Sequence, residues 1–360
     1  MMTENAGTGS IGVLGGRLMT VNGPIAPDQM GITLMHEHIM LDASKKWVAP
    51  SCACHHSWAM RPLAMDMLGE IAMNPLGNRD NCMLDSADLA VEELKKFGAL
   101  GGRTVIDPTN VGIGRAPATL RDIARRTGLN IVMGAGYYLQ PSHPDYVGPE
   151  SADQLARRII RDVGGTADRP DIVAGIVGEI GISSTMTKDE EKVLRAAAIA
   201  SAETSVPLSI HLPAWRRVAH DMLDIAEEQG ADLNHVILCH MNPSLSDPGY
   251  QHSLAERGAY LEYDMISMSY YYPEEDAQCP SDDENAKAIV QLFERGYGRK
   301  VLVSHDVFLK SMLTRYGGHG YGYILRHFVP RLRRLGLGDR DIEQLLVANP
   351  RQAMCGGQQL

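Results

Sequence analysis

The fold is decided by the stretch Gly31-Ile-Thr-Leu-Met-His36-Glu-His38-Ile39, an apolar run that contains two histidines two residues apart. In a β-strand, residues two apart point to the same side. We therefore expect both imidazoles to face one point. Comparable runs recur along the chain, and they carry imidazoles or carboxylates at their C-terminal ends: Glu179, His211, His240 and Asp306.

These apolar runs alternate with helical segments in a regular order. We predict eight strands, around residue 32 and over 103–107, 130–135, 172–179, 206–211, 235–240, 259–264 and 300–306. The predicted helices cover 87–97, 118–127, 152–163, 188–204, 216–229, 254–257 and 284–295. Apolar strands that alternate with helices are typical of a parallel sheet covered by helices. Eight units favour a closed (β/α)8 TIM barrel of the α/β class over an open doubly wound sheet, and no glycine-rich nucleotide motif follows the first strand.

The chain length suits one such barrel. We predict a single domain over 1–360, which begins with an N-terminal β-hairpin arm over 1–30 that has turn signals at Gly15-Gly16 and Asn22-Gly23-Pro24. A long loop over 42–86 follows the first strand. Loops of this length without a helix–strand pattern of their own are usually functional lids or disordered segments.

Composition and sequence patterns disfavour several classes of partner. The net charge of −10 disfavours nucleic acid and anionic membranes. No apolar stretch approaches the ~18–20 residues of a membrane helix, and the N-terminus lacks the pattern of a signal peptide. The six cysteines are scattered and form no disulfide framework. We therefore expect a cytoplasmic protein that acts on a small molecule.

The polar residues at the strand ends point to metal chemistry. Barrel enzymes keep their catalytic residues at the carboxyl ends of the strands. Imidazole and carboxylate together suit divalent metals that activate water. A lone buried histidine is more often a hydrogen-bonded core residue, but four histidines at inferred strand ends favour a metal site. The candidate ligands are His36, His38, Glu179, His211, His240 and Asp306.

The ordered set of motifs resembles a known family. Met35-His-Glu-His38, Gly178-Glu-Ile-Gly181, Ser209-Ile-His211, Leu238-Cys-His240 and Val303-Ser-His-Asp306 resemble the metal-ligand motifs of the phosphotriesterase-like branch of the amidohydrolase superfamily. The resemblance extends from the arm to Asn349-Pro350-Arg351. It implies that His36, His38 and Asp306 hold the more buried of two metal ions, and that His211 and His240 hold the more exposed one. A bridging carboxylate would join the two ions, and a homodimer is a further implication.

The bridging position departs from the commonest family pattern. Many members have a carbamylated lysine there, whereas this chain has Glu179. Both groups present two anionic oxygens at the end of a flexible stem. The resemblance is therefore to a subgroup with glutamate as bridging ligand, the phosphotriesterase-related and resiniferatoxin-binding-protein-like sequences, and less to the organophosphate-degrading prototypes.

The resemblance implies a binuclear metal-dependent hydrolase with two divalent ions, Zn²⁺ in first place and Mn²⁺ or Co²⁺ as alternatives. A metal-bridging hydroxide would attack a carboxyl ester or lactone, and Asp306 would serve as the catalytic proton acceptor. N-acyl amides and organophosphate triesters are alternatives, because they would use the same hydroxide. A catalytically weak small-molecule-binding protein with the same barrel is an alternative of another class, although the complete ligand set argues against it.

Four tyrosines are candidates for substrate contact. Tyr137 and Tyr138 end the third predicted strand, and Tyr316 and Tyr321 lie in a glycine-rich loop after the eighth.

His305 and Glu37 alternate away from the ligands, which indicates packing or support. Finally, Cys52-Ala-Cys54-His55-His56 matches no common zinc spacing and is interpreted as part of the long loop.

Overall fold

The computed structural model describes residues 16–49 and 56–356 of the chain. Eight parallel strands form one sheet, and each strand pairs with its neighbours in the sequence. In chain order they are β1 (Ile32–Leu34), β2 (Gly102–Asp107), β3 (Asn130–Ala135), β4 (Ile176–Gly181), β5 (Leu208–His211), β6 (Val236–Leu238), β7 (Tyr260–Tyr263) and β8 (Val301–Val303).

The sheet is nearly closed into a barrel, which confirms the predicted fold class. Its last gap, between β1 and β8, is bridged just beyond the strand ends. The His38 amide donates a hydrogen bond to the Val307 carbonyl at 3.1 Å, and the Asp306 amide donates to the His36 carbonyl at 3.1 Å. The first and last candidate ligand segments are therefore neighbours.

Helices surround the barrel between successive strands. They are α1 (Ala87–Ala99), α2 (Pro117–Thr127), α3 (Ala152–Asp162), α4 (Lys188–Thr204), α5 (Ala219–Glu228), α6 (Pro248–Glu256) and α7 (Asp282–Glu294). Three of them begin with a capping box, in which Ser151, Thr187 and Ser281 are the N-cap residues. Each such cap contributes about 1 kcal/mol to helix stability.

Helix α6 is longer than the sequence pattern indicated. The prediction began at residue 254, but the helix begins at Pro248. The Asp247 side chain accepts a hydrogen bond from the Tyr250 amide, and proline suits the first turn of a helix because it has no amide hydrogen to satisfy.

The predicted N-terminal hairpin is present in the described part of the arm. Strands Leu18–Thr20 and Gly23–Ile25 pair in antiparallel fashion, and the Val21 amide donates to the Ile131 carbonyl at 2.9 Å. Residues 1–15 lie outside the described residues. After β8 the chain continues through helical segments Ile324–Phe328, Val329–Arg334, Asp339–Glu343, Gln344–Ala348 and Asn349–Cys355.

One apolar cluster fills the barrel interior. It joins buried residues from β2, β3, β4, β6 and β8 with residues of the arm and of the last helix: Ile106, Val132, Ile176, Ile237, Leu302, Leu18, Met30 and Met354. A second, larger cluster lies between the sheet and the helices. The interior is therefore packed, and barrel enzymes keep their chemistry at the carboxyl ends of the strands.

The predicted strands extend too far at the ligand positions. Strand β1 ends at Leu34, so His36 and His38 lie after it and not within it. Strands β6 and β8 likewise end before His240 and Asp306. These two residues have φ of 59° and 50°, in the left-handed region, which a strand cannot accommodate.

The long loop after β1 contains short elements that sequence reasoning did not predict. Its two ends pair as short antiparallel strands, Leu41–Asp42 and Met83–Leu84. Helical segments His56–Ala59 and Leu68–Met73 lie between them, above a small apolar cluster of Leu63, Met67 and Ile71. Cys52, Cys54 and His55 lie outside the described residues.

Across residues 16–49 and 56–356, no helix has the length and apolar character that a bilayer crossing requires.

Candidate metal centre

Six side chains converge at the carboxyl ends of the strands. Glu179 and His211 belong to β4 and β5, and the other four candidates lie in the turns that follow β1, β6 and β8. Five of the six residues are at least nine-tenths buried, and the His211 side chain is 14% exposed. All of the ligand positions predicted from the sequence are therefore brought together.

The six residues form two groups whose ligand atoms lie close enough to share an ion. In the first, His38 Nε2 and His36 Nε2 lie 3.3 Å and 3.7 Å from Asp306 Oδ1. In the second, His211 Nδ1 lies 3.0 Å from Glu179 Oε2 and 2.7 Å from His240 Nε2.

Glu179 faces both groups. Its Oε1 is 3.3 Å from His38 Nε2, and its Oε2 is 3.0 Å from His211 Nδ1. The residue before it is Gly178, with φ of 134°, where any Cβ would collide with the Ser209 carbonyl oxygen. Glycine therefore allows β4 and β5 to approach closely where the carboxylate emerges.

The donor set fits divalent metal ions. Ligand atoms around a tetrahedral ion with bonds of about 2.1 Å lie ~3.4 Å apart, close to the spacing in the first group. His36 Nε2 and Asp306 Oδ1 are also buried without a hydrogen-bond partner among the described residues. Leaving such groups unsatisfied is costly, and a cation between them would satisfy both.

Neighbouring polar groups orient the imidazoles. His38 Nδ1 lies 2.7 Å from Thr109 Oγ1, His36 Nδ1 lies 3.2 Å from Glu262 Oε2, and His240 Nδ1 lies 3.0 Å from Asp264 Oδ1. These contacts turn each Nε2 toward the centre, a common arrangement around metal ligands. Sequence reasoning did not identify them, although the alternation Glu262-Tyr-Asp264 at the end of β7 places both carboxylates on one face.

Charge within the centre shifts the titration of its members. Burial raises the pKa of Glu179, but His36 and His211 outweigh it and hold that pKa well below its usual value. Burial lowers the pKa of His240 and His38, yet neighbouring carboxylates raise these values to about 10 and about 9. Burial dominates at His211, whose pKa falls to about 4.

These shifts predict proton release on metal binding. Without metal, three proposed ligands hold protons at pH 7: the pKa of His36 lies well above its usual value, and the pKa values of His38 and His240 are about 9 and about 10. An imidazole must lose that proton before it can coordinate a cation. We expect release of roughly three protons per chain at pH 7, with metal affinity rising as pH increases toward 10. Titration of Zn²⁺ into weakly buffered metal-free protein with a pH-sensitive dye measures the release, and uptake without proton release would contradict the prediction.

Glu37 and His305 point away from the ligands, as the strand alternation indicated. Both are fully buried, and Glu37 accepts hydrogen bonds from Ser304 Oγ at 2.8 Å and from the amides of His305 and Val307, both at 3.0 Å. His305 Nδ1 lies 2.6 Å from the same carboxylate. Glu37 therefore fixes the turn that carries Asp306.

A cavity of about 310 Å³ opens over the centre. Its described lining is largely apolar and aromatic, with a few polar groups, which is typical of small-molecule sites. Outside the centre, the lining includes Lys46, Tyr138, Trp215, Tyr272 and Phe308. Burial lowers the pKa of Lys46, and the charges of Glu179 and Asp306 oppose that shift. A lysine in a long loop gives no sequence signal for such a position, and we did not predict it.

Of the four tyrosines proposed to contact substrate, Tyr138 lies on the cavity wall. Tyr137 instead packs edge-to-face on Tyr146. Tyr321 is buried beneath the centre, where its hydroxyl donates to the His38 carbonyl at 2.8 Å. Tyr316 packs against the small cluster under the long loop. Of the four tyrosines, Tyr138 therefore remains the candidate for a substrate contact.

The barrel and its centre define a class: hydrolases of the amidohydrolase superfamily, which place imidazole and carboxylate ligands at the carboxyl ends of barrel strands. The model of the phosphotriesterase family matches residues 16–354. The chain belongs to this metal-dependent family, which confirms the resemblance drawn from its motifs.

Three similar proteins show which members of the family this chain resembles. An N-acetyltaurine hydrolase from Tetraodon nigroviridis is 35% identical over 343 residues, which are 94% of this chain and 98% of that protein. The crystal structure of a resiniferatoxin-binding protein from Rhodobacter sphaeroides has a TM-score of 0.92 and 50% identity, covering 94% and 95% of the two chains. A lactonase from Listeria monocytogenes has a TM-score of 0.76 and 25% identity, covering 95% and 100%.

Proposed function

We propose that this protein is a binuclear metal-dependent hydrolase that cleaves the acyl bond of a small N-acyl amide. The observation that carries the proposal is Glu179, whose carboxylate lies 3.3 Å from His38 of one ligand group and 3.0 Å from His211 of the other. Among acyl substrates, relatives named N-acetyltaurine hydrolase favour an amide over the carboxyl ester or lactone that we expected first from the sequence.

The proposed ligands divide into two sets joined by Glu179. The buried ion would be held by His36, His38 and Asp306, and the more exposed ion by His211 and His240. Zn²⁺ is the leading candidate, because imidazole and carboxylate ligands suit it. When bound, such ions lower the pKa of a shared water and polarise the scissile carbonyl.

Asp306 is the proposed catalytic proton acceptor. Its pKa lies below the usual value because His38, His36 and His240 outweigh the effect of burial, so the carboxylate is ionised at neutral pH. It faces the cavity and is held by the turn that Glu37 anchors. An ionised carboxylate in this position can take the proton of the attacking water and deliver it to the leaving nitrogen.

Carboxyl esters and lactones form the second candidate substrate class. The neighbour from Listeria monocytogenes is described as a lactonase, and the same centre would serve both reactions. A tetrahedral intermediate is common to amides, esters and lactones, so the six ligands do not distinguish among them. The cavity wall and the groups that it presents to the leaving group have to make the distinction.

A substrate panel on metal-loaded protein tests the proposal. We expect N-acyl amides such as N-acetyltaurine to reach kcat/KM of about 10⁴ M⁻¹s⁻¹ or more. A γ-lactone, an aryl acetate and a dialkyl aryl phosphate are expected at least about tenfold lower. A lactone preferred over every amide would support the second candidate class. Turnover of no substrate, with tight binding of one, would identify a binding protein instead.

A further inference from the structure

We propose that Lys46 and Tyr138 form an anion-binding subsite beside the centre. This subsite would select N-acyl amides whose amine part carries a sulfonate or a carboxylate. The inference rests on the proposed function, because it assumes a scissile acyl bond over the six ligands. It adds the substrate class and the residue that recognises it.

Lys46 is the cation of the cavity. It ends the short helical turn Ser44–Lys46, and no other lysine or arginine is among the described residues that line this cavity. Its Nζ donates to Tyr138 Oη at 2.8 Å. Within the described parts of the chain, Lys46 forms no ion pair with a carboxylate. The charges of Glu179 and Asp306 act on this buried ammonium from beyond ion-pair distance, and a bound anion would supply the direct partner that it lacks.

Tyr138 has a hydroxyl hydrogen left to donate. If His211 gives Nδ1 to a metal, its Nε2 carries hydrogen and donates to Tyr138 Oη, which lies 3.2 Å away. Lys46 donates to the same oxygen. Two donors thus occupy the oxygen, and the phenol hydrogen needs an acceptor elsewhere. Among the described residues Oη contacts no third polar group, so that acceptor would be the ligand.

Neighbouring hydrogen bonds fix the turn that carries Lys46, and neither glutamate on the described rim of the cavity pairs with it. Trp47 Nε1 donates to the Gly77 carbonyl at 3.1 Å, and the Ala43 amide donates to the Cys82 carbonyl at 3.0 Å. These bonds fasten the turn of Lys46 to the far end of the long loop. Of the two glutamates on the cavity rim, Glu275 pairs with Arg216 at 3.4 Å and Glu274 is exposed.

The position of the subsite sets the shape of its ligand. Lys46 Nζ and His211 Nε2 share Tyr138 Oη as a hydrogen-bond partner, so the ammonium lies no more than two hydrogen-bond lengths from a proposed metal ligand. An anionic group a few bonds from the scissile nitrogen spans that separation. N-acyl derivatives of short aminosulfonic and amino acids have this form, whereas simple neutral amides leave the ammonium unpaired.

A pair of substrates that differ in charge tests the inference. The neutral analogue of N-acetyltaurine, in which a methyl sulfone replaces the sulfonate, has nearly the same shape as N-acetyltaurine itself. The ratio of kcat/KM for N-acetyltaurine to kcat/KM for this analogue therefore reports recognition of the charge. We expect Lys46→Met to lower this ratio by about 10- to 100-fold, mainly through KM for the anion. Lys46→Arg should retain part of the preference, and Tyr138→Phe should lower it several-fold. N-acetyl-β-alanine in a parallel series distinguishes a sulfonate from a carboxylate ligand.

Lys45→Met is the matched control, because Lys45 is the exposed neighbour of Lys46 and does not line the cavity. It should keep the wild-type ratio. Equal losses on both substrates in Lys46→Met, with unchanged metal content and melting temperature, would overturn the inference. If the wild type cleaves neither amide, the proposed function fails. Calorimetric binding of N-acetyltaurine to wild type and Lys46→Met then tests the subsite alone, and equal affinities would refute it.

Discussion

Removal of divalent metal is expected to abolish hydrolysis, by about 10³-fold or more. The reason is that the polar groups at the base of the cavity are imidazoles and carboxylates of the ligand type. Water has a pKa of about 15.7, and polarisation by bound cations would lower that pKa toward neutrality and so supply a nucleophile at pH 7. Dialysis against a chelator, followed by elemental analysis and kcat/KM on the best amide of the panel, measures the loss.

Reconstitution separates loss of metal from loss of structure. Addition of Zn²⁺, Mn²⁺ or Co²⁺ should restore activity in proportion to bound metal, up to two ions per chain. The melting temperature should rise at the same time, because a ligand that binds only the folded state stabilises it. A sample carried through the same dialysis without chelator is the control. Undiminished turnover by protein that contains almost no metal would contradict the proposed function.

The barrel and the proposed ligands could be predicted because both depend on local sequence features. Each run of apolar residues specifies a buried strand, and a histidine or carboxylate at its end emerges where barrel strands present their chemistry. Strand β3 and helix α4 were predicted with the bounds that the structure has. Three of the proposed ligands lie at the ends of three different strands: Glu179, His211 and His240. They converge because the sheet closes into a barrel.

The exact path of the chain at the centre could not be predicted in this way. His36 and His38 converge through a turn that two hydrogen bonds hold in place. The Glu37 amide donates to the Ile106 carbonyl, and the His38 amide donates to the Val307 carbonyl. These partners come from distant parts of the sequence. The same is true of the left-handed backbone at Asp306, which is sustained by the hydrogen bond of its amide to the His36 carbonyl.

The cavity wall was less predictable than the centre. Tyrosine in a glycine-rich loop resembles a binding residue in composition, yet Tyr321 uses its hydroxyl to support the His38 carbonyl. Lys46 follows the short strand Leu41–Asp42, which pairs with Met83–Leu84 from the other end of the long loop. Long-range packing of this kind leaves no periodic signal in the sequence.

Glu179→Gln is expected to lower kcat/KM by about 10³-fold and the metal content from two ions per chain toward one. Two dications a few ångströms apart repel each other strongly, and an anionic bridge between them offsets that repulsion. The amide of glutamine is neutral and has one acceptor oxygen, so it can serve the His38 side or the His211 side but not both. The buried ion keeps His36, His38 and Asp306, and it should therefore persist.

The matched control for Glu179→Gln is the same change, glutamate to glutamine, at a position on the protein surface. Glu228→Gln removes an exposed carboxylate at the end of α5, which pairs with Arg195 at 2.9 Å and is not among the residues that line the cavity. Because exposed ion pairs contribute about 0–1 kcal/mol, its activity and metal content should stay within about twofold of wild type. Glu179→Gln that binds two ions and keeps wild-type turnover would show that the carboxylate does not join the two ligand groups. Loss of both ions would instead show that the groups bind metal cooperatively, with Glu179 as an essential ligand of each.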